Sequence, residues 1–248
     1  MNPAEFANIA QSEQRFWWYR GMNLILFRLL DRIAKARHFE RVLEAGCGTG
    51  YLARLLGERY GWSMFPVDLG WEGLNFARSM GLGRLTQADI ARLPFESDSF
   101  DAVVSMDVIV HFPRGEEHRA FKELTRVLKP GGLLAVRVSA LDILRSRHSE
   151  FAHERQRFNR SRLLSSVRAC GAEVERCTYA NSLLMPIAFT KFRIWEPLTA
   201  SPPASGVTQV SPILDRVLFS ALKFEAEWIG RGLDFPLGQS LVLIGWKQ

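Results

Sequence analysis

Val42-Leu43-Glu44-Ala45-Gly46-Cys47-Gly48-Thr49-Gly50 is a short apolar run that ends in a glycine turn. Arg41 to Ala45 reads as a strand, and Leu52, Leu55 and Leu56 follow the turn at helical spacing. A turn without side chains lets the backbone approach a ligand closely, at the sheet edge where open α/β folds bind ligands. Eighteen residues after Gly50, Asp68 closes a second strand, Trp62 to Val67. A carboxylate there can accept from both hydroxyls of a ribose. The spacing departs from the dinucleotide pattern G-x-G-x-x-G, and Glu44 leads the turn. A carboxylate at that point repels a pyrophosphate and suits a ligand that carries an ammonium group. A nicotinamide oxidoreductase is therefore the least favoured reading.

Outward from the turn, strands and helices alternate. Leu85 to Ala88 reads as a third strand ending at Asp89, and Phe100 to Met106 as a fourth. Phe121, Leu124, Val127 and Leu128 lie on one side of the next helix, which Pro130-Gly131-Gly132 stops before a fifth strand, Leu133 to Val138. Glu173 to Tyr179 and Ser240 to Trp246 complete the strands. Further helices are expected over 13–36, 71–80, 161–170, 183–195 and 213–228, with Pro197 to Pro212 as a loop. Such alternation implies a mostly parallel sheet covered on both faces.

The 248 residues are 47% hydrophobic and 23% charged, ordinary for a globular chain. The N-terminus lacks a basic stretch followed by an apolar one, so no secretory signal is expected. Leu183 to Phe189 is too short an apolar run to span a bilayer and contains Pro186. Cys47, Cys170 and Cys177 lack metal-ligand spacing and read as reduced thiols; no metal site and a cytoplasmic location are expected. Charge is uneven. Between Arg145 and Arg168, seven arginines face two glutamates, a net +5 of the chain's formal +6. Such a patch attracts an anionic substrate, a lipid surface or RNA, unless it is a solvated helix face.

Val42 to Gly50 resembles the first motif of class I S-adenosylmethionine (SAM)-dependent methyltransferases. Pro66-Val67-Asp68 resembles their ribose-binding strand end. Ala88-Asp89-Ile90, with Leu93-Pro94-Phe95 and Ser99-Phe100-Asp101, resembles the adenine loop and fourth strand, and Leu128-Lys129-Pro130-Gly131-Gly132 the turn into the fifth. The likeness runs in order over about residues 40 to 140 and is nearest to small-molecule enzymes related to those of ubiquinone and menaquinone synthesis. It implies an α/β, Rossmann-like, seven-stranded, mostly parallel sheet with helices on both faces, an N-terminal helical lid and a helical insertion before the last strand. The whole of 1–248 is then one domain: an N-terminal helical region (1–38), a SAM-binding core (39–140), a substrate-side segment with the sixth strand (141–180), a helical cap (181–238) and the last strand (239–248).

The resemblance also implies roles, with SAM as cofactor and S-adenosylhomocysteine as product. Gly46, Cys47 and Gly48 line the methionine part of SAM, with Glu44 supporting the turn. Asp68 binds the ribose, Leu69 packs near the adenine, and Asp89 and the Ile90 N–H meet its edge. Met106 and Asp107 lie near the sulfonium.

Methyl transfer is an in-line displacement in which the protein orients the nucleophile and takes its proton where needed. His111, just past the fourth strand, is the first candidate base, and His153, in a segment resembling the family's basic-aromatic substrate stretch, is the second. A structural histidine is the competing role for each. Phe16-Trp17-Trp18-Tyr19-Arg20 cannot all share one helix face, so some of these residues are candidates to cover the SAM pocket, with Tyr19 or Arg20 reaching the methionine carboxylate. The apolar 181–238 insertion caps an apolar or lipid-like acceptor, forms a homodimer contact, or serves as plain core. The expected activity is methylation of a small, apolar or anionic acceptor, with peripheral membrane contact allowed. Its rivals are an RNA-directed methyltransferase using the 145–168 patch, disfavoured for want of an RNA-binding module, and a SAM-binding regulator without catalysis.

Overall fold

The computed structural model describes residues 3–199, 202–207 and 210–248. Among these, Arg41–Ala45 (β1), Ser63–Asp68 (β2), Thr86–Gln87 (β3), Phe100–Met106 (β4), Leu128–Ser139 (β5), Ala172–Ala180 (β6) and Ser240–Lys247 (β7) form one sheet. The order is β3-β2-β1-β4-β5-β7-β6, and only β7 runs antiparallel to its neighbours. The chain leaves β1 toward one edge and returns to start β4 on the other side of it. The carboxyl ends of β1 and β4 therefore flank a topological switch point, where such sheets bind ligands.

Period-two alternation splits the core into two layers. Leu43, Val103, Leu134 and Val136 pack beneath Phe121 and Leu124 of α5 (Glu117–Val127) and Leu163 of α7 (Arg160–Arg168). Val42, Val104, Leu133 and Ala135 pack beneath Met22 and Ile25 of α2 (Trp17–Ala36) and Leu222 of α10 (Pro212–Gly230). The helices α3 (Tyr51–Tyr60) and α4 (Trp71–Ser79) follow β1 and β2.

The expected helix over 13–36 starts four residues later, and a separate helix precedes it. After α1 (Pro3–Ser12) the chain turns, and Phe16 in extended geometry caps α2. The break turns Glu13 inward. β5 starts earlier than the Pro-Gly-Gly signal implies, because its pairing with β4 absorbs that stretch as an irregularity between Phe100 and Ala102. A short helix, α6 (Arg147–Phe151), lies within the substrate-side segment. The insertion holds α8 (Met185–Thr190), which continues through a π-helical turn, Lys191–Trp195, into α9 (Glu196–Leu198). Of the expected loop over 197–212, positions 200, 201, 208 and 209 lie outside the described residues; Pro197 lies within α9 and Pro212 starts α10. Register aligns Ser139, Ser240 and Ala180, so the insertion leaves from the same sheet edge as the switch point.

Candidate active site

The turn after β1 depends on glycine conformations. Gly46, Gly48 and Gly50 have φ of +84°, +54° and +79°. The Gly46 and Cys47 N–H groups both donate to the Val67 carbonyl, at 2.7 and 2.8 Å, which ties the turn to β2. A Cβ on Gly46 would lie 2.1 Å from Val108 Cγ2, whereas one on Gly48 would meet nothing within 4 Å. Gly46 is thus packed against the loop after β4, and Gly48 faces open space.

Asp68, at the end of β2, accepts from the Gly48 N–H and the Gly70 N–H, each at 2.7 Å. Burial raises its pKa, and those two donors oppose the rise. Glu44 is buried, with Oε2 lacking any partner. Burial, and next the Asp68 charge, push its carboxyl well up. Cys47 is buried and its thiol is pushed up by burial and by Glu44, the setting of an unreactive cysteine. Beside Asp68, Leu69 and Trp71 are exposed. Asp89 is also exposed and caps the Ala91 N–H, while Ile90 is buried.

Three residues that sequence reasoning missed crowd this edge. Phe6 of α1 lies against Gly70 and Gly73, so close that a Cβ on either would come within 2.6 Å of its ring. Glu5 is buried and accepts from Ser205 Oγ, with the His148 ring 3.9 Å away. Glu13 is buried and accepts from Thr49 Oγ1, inside the glycine turn itself, at 2.5 Å. Burial raises the Glu13 pKa to about 7, against the lowering effects of Thr49 and Arg54. The available signal was Glu13 itself, a lone acid at the head of an aromatic run.

A fourth missed residue is Arg137. Alternation along Leu133, Ala135 and Arg137 puts a cation where the core layer expects an apolar residue. It is 5% exposed and pairs with Asp107 at 2.6 Å, beneath the Trp18 ring at 5.0 Å. Its Nη1 is buried without a partner. Asp107 follows Met106 with φ +60°, a strained conformation for a residue with a side chain, held by an N–H bond to the Arg137 carbonyl at 2.9 Å. Tyr19 belongs to this cluster. Burial drives its phenol strongly upward, and the charges of Glu5, Glu13 and Asp107 act in the same direction. Arg20 does not join it. Its guanidinium bonds Asp215 at 2.9 Å and stacks 4.0 Å from the Phe219 ring, because α2 packs along α10. The cation beside Tyr19 is Arg137.

His111 Nδ1 lies 3.1 Å from the His153 carbonyl. A carbonyl only accepts, so Nδ1 carries the proton and Nε2 keeps its lone pair. Burial lowers the His111 pKa, which keeps the ring neutral at pH 7 and able to take a proton. The His153 ring is exposed, and the residue, at φ +58°, turns its backbone oxygen onto His111. The two candidates thus have different roles: one presents a ring nitrogen, the other orients it.

The basic segment is largely spent internally. Arg145 bonds the Glu154 carbonyl, Arg147 bonds Thr199 and the Glu196 carbonyl, Arg157 bonds Glu154 and the Ala140 carbonyl, and Arg162 bonds Glu117. Arg155, Arg160 and Arg168 remain exposed. The Arg155 and Gln156 N–H groups strap the segment to the Val110 carbonyl, beside His111.

Residues 43–136 match the family described as methyltransferase domain. The chain is 29% identical over 154 residues to sterol 24-C-methyltransferase ERG6B of Gibberella zeae, covering 53% of this chain and 40% of that protein. It is 35% identical over 102 residues to "Probable tRNA methyltransferase 9B" of Mus musculus, covering 41% and 22%. The chain thus spans less than half the length of these relatives. The crystal structure of a SAM-dependent methyltransferase from Thermotoga maritima superposes with a TM-score of 0.56 at 18% identity, over 94% of this chain and 93% of that one, and shares its fold. With the glycine turn, the strand-end Asp68 and the seven-stranded sheet, these matches show that the chain carries a methyltransferase domain over residues 43–136.

Proposed function

We propose that this domain binds SAM at the Gly46–Gly50 turn and methylates a small-molecule acceptor. The observation that carries the reading is the acid-lined opening at Gly48. Open space lies beside that backbone, Asp68 stands at the strand end, and the Glu44 carboxyl, its Oε2 without a partner, is buried behind the turn. These residues fit SAM: its ammonium suits a turn flanked by Glu44 and Glu13, and its ribose hydroxyls suit Asp68. In this reading Leu69, Asp89 and Ile90 serve the adenine, and the Cys47 backbone, Met106, Asp107 and Tyr19 the methionine end. When bound, SAM supplies an electrophilic methyl on a sulfonium. The chain orients the acceptor, excludes water and receives a proton at His111 Nε2 where the nucleophile carries one.

A small acceptor is supported by how the mouth is roofed. Ser205 bonds Glu5 of α1, the Gly206 N–H bonds His148, and Arg193 bonds the Asp142 carbonyl. The N-terminus, the substrate-side segment and the cap are thereby joined at one sheet edge, which favours a small acceptor over a polymer. Internal pairing of the 145–168 arginines likewise weakens the RNA reading.

Calorimetry with S-adenosylhomocysteine tests the cofactor half. Asp68→Ala is expected to weaken binding about tenfold to a hundredfold, the worth of hydrogen bonds to a charged group. Absence of binding to the unaltered protein would sink it. Methyl transfer from labelled SAM across quinones, phenols, amines, lipids and tRNA tests the acceptor half. Labelled tRNA would refute the small-molecule reading, and binding without any transfer would favour a regulator.

A further inference from the structure

Of the large apolar side chains exposed among the described residues, thirteen of sixteen lie between 183 and 237. They are ordered. Ile213, Val217, Phe224 and Trp228 recur along α10 at spacings of four, seven and four, which places them in one stripe about 22 Å long. Ile194 and Leu198 lie four apart on the α8–α9 segment, with Trp195 beside them, and Ile187 is exposed on the α-helical turn before the π-helical one. Exposure in these two stripes runs from 37% at Trp228 to 78% at Leu198. Surface helices of a globular protein bury such stripes. Patches of this kind mark interaction sites.

The unpaired charges around them have one sign. Lys191, Arg216, Lys223 and Arg231 are exposed, and none has a carboxylate within ion-pair distance among the described residues. The acids of the same region are already engaged: Asp215 with Arg20, Glu227 with Arg28, and Glu196 with the Arg147 N–H. An exposed apolar stripe with unpaired cations beside it is the pattern of helices that lie in a membrane interface.

We infer that the α8–α10 cap docks on the surface of an anionic lipid bilayer. A second copy of this chain is a poorer occupant, since a two-fold contact sets each patch against itself and brings the same four cations together. No described helix is long and apolar enough to cross a membrane, so the contact is with the surface. The cap springs from the sheet edge that carries the glycine turn, and Arg147 ties it to the substrate-side segment through Thr199. The inference rests on the cap's own geometry and charge, independently of the acceptor's identity.

Co-sedimentation of the whole chain with vesicles tests it, using phosphatidylcholine alone or mixed with phosphatidylglycerol. Binding is expected to the mixed vesicles and to weaken with salt. Lys191→Ala and Lys223→Ala should each lower partitioning about fivefold. Trp195→Asp combined with Val217→Asp should abolish it, while thermal melting and S-adenosylhomocysteine binding stay unchanged. Asp68→Ala should bind vesicles like the unaltered chain, which separates this inference from the cofactor site. The inference is overturned if the unaltered chain ignores anionic vesicles or if the aspartate variants bind equally well. It is also overturned if those variants only convert a dimer to a monomer in ultracentrifugation, with no vesicle binding in either form.

Discussion

Replacing Glu13 by Gln offers a measurement with a sign and a size. Glu13 titrates near 7 in the folded chain, against 4.5 for an ordinary glutamate, mainly because it is buried. An acid with a raised folded pKa binds its proton more tightly when folded. Its neutral form is therefore accommodated fully below pH about 4.5, and that stability is lost as pH rises through about 7. Above that point the buried charge costs the difference of about 2.5 pH units at about 1.36 kcal/mol each, or about 3 kcal/mol. Gln is the isostere of the neutral acid and keeps an oxygen to accept from Thr49. Glu13→Gln should thus raise the unfolding free energy by up to about 3 kcal/mol at pH about 8 and change little at pH about 4.5. Glu44, Asp68 and Glu225 also have raised pKa values and add their own slopes in the same direction, so the quantity to read is the variant minus the unaltered protein. Urea unfolding followed by circular dichroism across that range supplies it. Equal stabilities at alkaline pH, or a gain of the same size at both ends, would refute the buried ionisation at the glycine turn.

Arg137→Met should cost about 3 kcal/mol, the lower end for breaking a buried pair because Asp107 keeps some solvent, and adding Asp107→Asn should restore most of it in the same unfolding assay. Gly46→Ala should destabilise more than Gly48→Ala in thermal melting, by at least about 1 kcal/mol, because only at Gly46 does the new methyl collide with Val108, whereas both carry the left-handed penalty. With a methyl acceptor in hand, kcat should stay level above pH about 7 and fall only below the ordinary histidine value of 6.5, where His111 takes up its proton. His111→Ala should lose about a hundredfold or more in kcat together with that acid limb, and an unchanged profile would assign the base elsewhere.

The most legible features were those in which one short stretch carries its own constraint. Positive φ at Gly46, Gly48 and Gly50 is a local demand, and glycine answers it in the sequence. Asp68 at the end of an apolar run is likewise read directly, because strand and terminus are adjacent in the chain. Alternation of strands and helices was enough for the parallel sheet. The seven arginines between 145 and 168 read as a patch because a sequence shows charge without partners. Folding brings Glu117 to Arg162 from 45 residues away, and Glu196 and Thr199 to Arg147 from about 50, so most of the patch is consumed. The partners of Arg20 and His153 were illegible for a related reason: neither the pull of Asp215, 195 residues on, nor the choice between a ring and a carbonyl is written locally.

Backbone sterics and period-two burial act over a few residues, so the glycine turn, the acid that faces it and the sheet class are legible in the chain alone. Which charges meet was settled by packing. It placed Glu13 against Thr49, Arg137 against Asp107 and Phe6 over Gly70, and it left the cap's stripes uncovered. Those outcomes depend on burial and on partners distant in sequence, and both quantities exist only once the chain has packed.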